Sequence, residues 1–112
     1  MLDTKLNDEA GRLAALGRYE ILDTPAEPAF DRITQLVRSI LGVPISVVAL
    51  IDSDRQWFKS RTGIDTVETP RDIAFCNHTI RDRVPVVVPN ACSDQRFSSN
   101  PLVTGDPNIR SY

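Results

Sequence analysis

The residue types best suited to chemistry stand together at Cys76, Asn77 and His78. Cysteine and histidine are common metal ligands, and a thiolate beside an imidazole can act as a nucleophile. The spacing argues against both roles, because positions two apart on a helix point about 200° away from each other. Cys92 is the one further cysteine and the chain has no second histidine, so a four-ligand site is not completed. We therefore expect no metal site and no cofactor, and expect Cys76 and His78 to pack as structural residues.

A second set of residues has the composition of a small-molecule cleft between a sheet and a helix. Aromatic rings would form its apolar walls, and a few charged side chains would anchor the ligand. The candidate ligand-binding residues are Trp57, Arg71, Asp72, Phe75, Cys76, His78 and Arg110, with Phe58 as a further wall. The simpler interpretation is that the rings fill the core, because aromatic residues make up only 6% of the chain. Both interpretations stay open at this point.

Catalysis finds little support in the sequence. The chain lacks a G-x-S-x-G elbow, a phosphate-binding loop, an H-E-x-x-H pair and a glycine-rich nucleotide turn. The carboxylates of Asp52 and Asp54 lie two apart in a run of turn-forming residues, where a turn-stabilising role is favoured over a catalytic pair. We expect a protein that is not an enzyme.

Size and charge narrow the class further. The 112 residues suffice for one small domain, and the formal net charge of -2 disfavours a nucleic-acid partner. The longest apolar run, residues 43–51, is broken by Pro44 and Ser46 and is shorter than the roughly 20 residues that span a bilayer. The first residues lack the pattern of a signal peptide. We expect no membrane partner, a cytoplasmic location and two free cysteines.

Two helices are predicted in the first part of the chain. Residues 7–18 have helical apolar spacing, with Asn7 as the expected N-cap. The sequence Thr-Pro-Ala-Glu at 24–27 has the form of a capping box and is expected to start the second helix, with Gly42 as its stop. One stripe of this helix is expected to pack on a sheet: Phe30, Ile33, Leu36 or Val37, Ile40 and Leu41.

Strands follow the second helix. Residues 45–51 are β-branched and almost continuously apolar, which predicts a central strand covered on both faces. Turn-forming residues separate this strand from residues 56–60, so we expect an antiparallel hairpin.

The last third of the chain is predicted to be less regular. Residues 69–72 repeat the capping pattern and are expected to open a helix with Ile73, Phe75 or Cys76, and Ile80 facing inward. Prolines bracket a short strand at 84–89, which favours an edge position. Residues 90–108 are expected to form a folded-over loop with one helical turn, and 109–112 the start of a strand.

This order of elements resembles the GAF domain, a small-molecule-sensing relative of the PAS fold. Four ordered segments carry the resemblance: RLAALGRYEILDTPAEPAFDRIT at 12–34, DSDRQWFKSRTGID at 52–65, TPRDIAFCNHTI at 69–80 and NPLVTGDPNIRSY at 100–112. They are similar to a bacterial subgroup found at the N-terminus of sensor histidine kinases and diguanylate cyclases. The resemblance implies an α/β (α+β) fold in which helices flank an antiparallel sheet.

The same resemblance implies a departure at the end of the chain, because GAF domains continue through further strands after the one that starts near Tyr112. We therefore expect residues 1–6 to form a tail and residues 7–112 to form a partial domain that lacks its C-terminal strands. A sheet cut short in this way leaves strand edges unpaired, which a second copy of the chain can cover.

The function that the resemblance implies is that of a signal-transduction sensor. Such a domain binds a small molecule or relays a conformational change to a kinase or cyclase output domain, as a homodimer in which residues 7–18 form the dimer or relay element. One alternative is an interaction module that binds no ligand. A more distant one is a methionine-sulfoxide reductase, an activity that also occurs on a GAF fold and requires paired cysteines.

Overall fold

The computed structural model describes residues 8–81, 84–105 and 107–112. The predicted tail at 1–6 and the predicted cap Asn7 lie outside these residues. The helices are α1 (Glu9–Arg18), α2 (Pro28–Leu41), α3 (Cys76–Thr79) and α4 (Pro101–Thr104), with 3₁₀ turns at Arg71–Ile73 and Ala91–Ser93. The strands are β1 (Ser46–Ile51), β2 (Arg55–Thr62) and β3 (Glu68–Pro70). The mixed α/β fold with an antiparallel sheet flanked by helices is confirmed.

The N-cap of helix α1 lies one residue after the predicted one. Asp8 is the N-cap, and its carboxylate accepts a hydrogen bond of 2.8 Å from the backbone N–H of Gly11. None of the residues of α1 is buried. Leu13 and Leu16 are half-buried, so apolar as well as polar contacts contribute to the position of the helix on the domain.

Helix α2 begins at Pro28 rather than at the predicted 24–27 capping box. A helix with Pro25 at its first position would place Pro28 where a backbone N–H is needed, whereas proline is accommodated at the first helical position. Glu27 is consequently the N-cap and has extended backbone geometry, as residues before proline prefer. The predicted stop is confirmed, because Gly42 adopts the left-handed conformation at φ 63°.

The sheet has the order β1-β2-β3 with both pairs antiparallel, so the predicted hairpin is confirmed. The prediction of a central β1 was wrong, because within the described residues β1 is an edge strand that pairs with β2 alone. Val48 lies opposite Ser60 and Ala49 opposite Phe58, which places the extra residue of a β-bulge, Lys59, on β2. Strand β1 itself stays regular.

The face of α2 that meets the sheet is not the predicted apolar stripe. Thr34 is the buried residue of α2, and its hydroxyl lies 2.9 Å from Ser60 Oγ on β2. Asp31 accepts a hydrogen bond of 2.7 Å from the same serine. The predicted stripe is instead largely exposed, with Ile33 at 52% and Ile40 at 70%. Helix α2 therefore turns the residues that hydrogen-bond to β2 toward the sheet, and not its apolar face.

The predicted helix after residue 69 is much shorter than expected. Thr69 lies in β3, where its hydroxyl accepts a hydrogen bond of 3.1 Å from Gln56 Nε2 and so cannot cap a helix. A 3₁₀ turn follows, and α3 has only four residues.

The last part of the chain forms a separate small core around Phe75, to which Val88, Ala91, Phe97 and Val103 contribute. The predicted strand at 84–89 is absent from the described residues of this segment, because a single pair of backbone bonds, between Val88 and Tyr112, is too little to make a ladder. The predicted helical turn within the loop is confirmed by α4. We call residues 71–81, 84–105 and 107–112 the C-terminal lobe.

None of the helices within the described part of the chain combines the length and the apolar character needed to cross a membrane.

Candidate functional site

Arg71 is the residue on which separate parts of the fold converge. Its Nε donates to Asn77 Oδ1 on α3 at 2.9 Å, and its Nη1 donates to the carboxylate of Glu9 on α1. The same nitrogen lies 3.3 Å from the carbonyl oxygen of Asp52 in the β1–β2 turn. Its backbone N–H donates to the carbonyl of Asp54 at 3.0 Å. One side chain thus connects the C-terminal lobe, the sheet and the N-terminal helix.

The N-terminal helix is held at this junction by charge. Glu9 is shared between Arg71 and Arg12, and Arg12 Nη2 lies 2.8 Å from its carboxylate. These hydrogen bonds, that of Arg12 first and that of Arg71 second, lower the pKa of Glu9 to about 2. Arg12 also donates to the carbonyl oxygen of Ile51 at the end of β1. A charged cluster at one end of the sheet therefore contributes to the docking of α1.

The segment between α1 and α2 is held by two further cations. Arg55 forms a paired contact with Asp23 at 2.8 and 2.7 Å, and this hydrogen bonding raises the pKa of Arg55. The ammonium group of Lys59 is fully buried, and its three donors meet Thr24 Oγ1 at 2.7 Å, the Pro25 carbonyl at 2.7 Å and Glu27 at 2.6 Å. With its donors used in this way, Lys59 serves the structure rather than a ligand.

The aromatic residues of the C-terminal lobe fill its interior. The rings of Phe75 and Phe97 stack with centroids 4.1 Å apart, and Tyr112 tilts against Phe75 at 5.1 Å. His78 meets Phe97 edge-on at 4.9 Å. Phe75 is 3% exposed and Phe97 is fully buried. Packing of this kind occupies the space in which a ligand between these rings would sit.

Polar groups border this aromatic core. The hydroxyl of Tyr112 lies 2.7 Å from Thr79 Oγ1 and 3.2 Å from Cys76 Sγ. Burial raises the pKa of the Cys76 thiol, and burial together with the bond to Cys76 raises the pKa of Tyr112. Burial, and then the charges of Arg81 and Arg96, hold the pKa of His78 below its ordinary value. Cys76 and Tyr112 are thus kept protonated at neutral pH, which disfavours a nucleophilic role.

The remaining predicted site residues lie apart from this cluster. Trp57 is buried on β2 opposite Leu50, and its strand neighbour Phe58 points to the other face of the sheet, so the two do not line one cleft. Asp72 is exposed on the 3₁₀ turn. Arg110 donates to the Val103 carbonyl at 2.8 Å and closes the end of the chain onto α4. The structure brings together Phe75, Cys76 and His78, with Arg71 at their border through Asn77.

Two open cavities lie beside α2 rather than in the C-terminal lobe. One, of about 630 Å³, is lined by residues of the α2 end such as Arg38 and Ser39. The other, of about 430 Å³, is bordered by Asp31, Ser60, Arg61 and Asp65, and we call it the α2–β2 groove. None of the seven predicted ligand-binding residues lines either cavity. Within the described residues, no cluster of three His, Cys, Asp or Glu side chains is arranged to hold a metal ion.

Sequence reasoning missed Glu9 and Asn77, the partners that define the role of Arg71. The spacing of Glu9 and Arg12 signals an ion pair on one helix face. The contact between Glu9 and Arg71 spans 62 positions and has no local signal. In the sequence, Asn77 stands out only as the residue between Cys76 and His78. Tyr112 was interpreted as the start of a strand, and nothing in its neighbours indicates the hydrogen bond to α3.

Comparison with known proteins agrees with this architecture. The sequence model of the GAF domain matches residues 25–112. A cyclic di-GMP phosphodiesterase of Pseudomonas aeruginosa is 35% identical over 105 residues, which are 94% of this chain and 18% of that protein. The chain thus spans less than a fifth of the length of this relative. The match over most of the chain, together with the helix-flanked antiparallel sheet, shows that the chain belongs to the GAF domain family.

Proposed function

We propose that this chain is the sensor domain of a signalling protein, in which a change in the C-terminal lobe is relayed through Arg71 to helix α1. The observation that carries the proposal is the convergence of Asn77, the carbonyl of Asp52 and the carboxylate of Glu9 on one guanidinium group. A shift of α3 that moves Asn77 changes the position of Arg71, and Arg71 in turn holds α1.

The contacts of α1 are suited to a helix that exchanges between a docked and an undocked state. Because none of its residues is fully buried, the docked state of α1 depends on Glu9, Arg12 and Arg71 as well as on its half-buried leucines, and such segments belong to the low-stability end of a fold. A modest change at the junction then alters the population of docked helix. The role that follows for the domain is regulatory rather than catalytic, in keeping with a Cys76 thiol that is kept protonated.

The output is an enzyme to which this domain is joined or bound. A kinase or a cyclase is the output that the sequence predicts, and the relative in P. aeruginosa adds a cyclic di-GMP phosphodiesterase to the candidates. The dimer predicted for the domain brings two copies of α1 under the same control. The identity of the output and a cytoplasmic location stay predictions.

A small-molecule site that is separate from the C-terminal lobe and from the Arg71 junction is supported by the α2–β2 groove. Its volume of about 430 Å³ falls within the range of ligand sites, roughly 300–1,000 Å³. Arg61 and Asp65 border the groove and are exposed, whereas the Ser60 hydroxyl is already bonded to Asp31 and Thr34. This lining suits a polar ligand that has a donor for the Asp65 carboxylate and an anionic group for Arg61. The filled interior of the C-terminal lobe favours the alternative of a module that dimerises without a ligand.

Titration calorimetry with cyclic AMP, cyclic GMP and cyclic di-GMP as probes separates these two roles. We expect at least one of these phosphate-bearing probes to bind, and we expect Arg61→Glu to weaken its binding about tenfold or more through loss of a charge-assisted contact. Arg18→Glu makes the same charge change at the exposed end of α1 and should leave the affinity unchanged. Binding that is absent for all three probes, or equal in both variants, would remove the groove as the sensing site.

A further inference from the structure

The segment between α1 and α2, residues 19–27, has a strained backbone, and we call it the linker. Glu20 and Asp23 have φ angles of 50° and 61°, in the left-handed region that residues other than glycine rarely occupy. Aspartate tolerates this region better than glutamate, so the strain is greater at Glu20. Because such conformations persist only where the surrounding structure holds them, the linker depends on contacts with the rest of the domain.

Two cations of strand β2 make these contacts. Arg55 holds Asp23 through the paired contact described above. Lys59, further along the same strand, holds the next part of the linker. Its bonds go to Thr24 Oγ1 and the Pro25 carbonyl, both at 2.7 Å, and to Glu27 at 2.6 Å. The linker therefore runs beside β2 in the direction of the strand.

The burial of Lys59 divides the positions of the linker into two states. The side chain is fully buried, and its three donors are taken by linker groups. A buried ammonium group that loses a partner without reaching water is costly, so partial loss of the three bonds is disfavoured. The linker is either closed, with all three bonds formed, or open, with the ammonium group exposed to water.

The closed linker also forms part of the wall of the α2–β2 groove. Ala26 lies between Pro25 and Glu27, both bonded to Lys59, and lines the groove together with Lys59. Opening of the linker removes this part of the wall. A molecule in the groove therefore contacts the full lining only in the closed state, and a ligand that binds one of two states more tightly raises the population of that state.

We propose that α1 undocks when the linker leaves Lys59, and that a ligand in the α2–β2 groove favours the closed linker and thereby the docked helix. The proposal rests on the groove of the proposed function and gives it a route to α1 that does not pass through Arg71. Arg71 holds the first turn of α1 through Glu9, whereas the linker begins at Tyr19, directly after the last turn. Opening of the linker frees the end of α1 that Arg71 does not hold.

Hydrogen exchange of Thr24→Val tests the control of α1 by Lys59. Valine has the shape of threonine but leaves one donor of the buried ammonium group without its acceptor, so the protection of the α1 amides should fall about tenfold. Those of the β1–β2 ladder should keep theirs. Lys59→Met removes the ammonium group itself and should act in the same way. Thr66→Val makes the matched change at an exposed position between β2 and β3 and should alter neither set.

Unchanged protection of α1 in both Thr24→Val and Lys59→Met would overturn the proposal. An equal loss in α1 and in the β1–β2 ladder would do so as well, because it would show a general loss of stability. Arg71 is intact in these variants. A failure of the linker to control α1 is therefore distinct from a failure of the Arg71 relay, which leaves the effect of Thr24→Val in place.

Replacing Glu20 with glycine should have the opposite effect. Glycine adopts a φ angle of 50° at no steric cost, so the closed linker becomes less strained and the protection of α1 should rise about threefold. A fall in protection would contradict the assignment of a strained, closed linker.

Titration calorimetry of Thr24→Val tests the connection to the groove, because Thr24 lies outside its lining. With cyclic AMP, cyclic GMP and cyclic di-GMP as probes, a probe that binds the wild type should bind this variant about fivefold or more weakly, since coupling between two sites is reciprocal. Equal affinities would overturn the connection while leaving the groove as a binding site. Absence of binding for all three probes would remove both the groove and its connection to α1, and the exchange of α1 would still decide the role of Lys59.

Discussion

Replacing Phe97 with alanine should lower the free energy of unfolding by about 3–5 kcal/mol, the cost typical of removing a buried aromatic ring. Phe97 is fully buried, stacks on Phe75 at 4.1 Å and contacts the edge of His78. The C-terminal lobe has little regular structure that would hold it together once this ring is gone. Urea unfolding followed by circular dichroism measures the effect.

The matched control for this change is Val87→Ala in the same lobe. Val87 is 72% exposed, so its truncation should alter the free energy of unfolding by no more than about 0.5 kcal/mol. If Phe97→Ala costs as little as Val87→Ala, the aromatic core is not what stabilises the lobe.

Alanine at Gly63 should destabilise the domain by about 3 kcal/mol or more, because it combines a strained backbone with a steric clash. Gly63 has φ 85°, and an added Cβ would lie 1.8 Å from the carbonyl oxygen of Pro44. The Pro44 carbonyl and residue 63 cannot move apart easily, because both belong to the main chain at the point where the end of β2 lies beside the start of β1. Thermal unfolding of the variant measures the loss.

Gly17→Ala provides the comparison, because it lies in α1 with nothing within 4 Å of its added Cβ. Removing a glycine from a helix should increase stability by about 0.5–1 kcal/mol. Equal effects of the two alanines would mean that the close approach of residue 63 to Pro44 does not constrain the fold.

Local signals in the sequence were sufficient for the class of fold and for several boundaries. The turn residues after β1 predict the hairpin, and Gly42 predicts the end of α2, because both depend on residues close in sequence. The position of β1 at the edge was not predictable in this way. A continuous apolar strand indicates burial on both faces, but strand order depends on which other segments pair with it.

The orientation of α2 shows the same limit. Its apolar stripe predicts the buried face, yet Thr34 and Asp31 turn toward β2 because Ser60 offers hydrogen bonds there. The start of α2 is indicated in the sequence by Pro28. A helix capped by residues 24–27 would need the backbone N–H that Pro28 lacks.

The candidate site was predictable in its parts but not in its connections. The sequence pointed to Phe75, Cys76 and His78 as neighbours, since they share one short segment. It gave Arg71 the role of a ligand anchor, whereas in the structure its guanidinium group is occupied by Glu9, Asn77 and the Asp52 carbonyl. Contacts of this kind join segments that are distant in the chain, so no pattern in the sequence predicts them.

Hydrogen exchange of α1 in the variant Arg71→Gln tests the central claim, that Arg71 couples the C-terminal lobe to the N-terminal helix. Isolated ten-residue helices are marginal in water, so loss of docking should lower the protection of the amides of α1 about tenfold or more, while those of the β1–β2 ladder keep theirs. Arg18→Gln, at the exposed end of α1, should leave both sets unchanged. Unaltered protection of α1 in Arg71→Gln would contradict the relay.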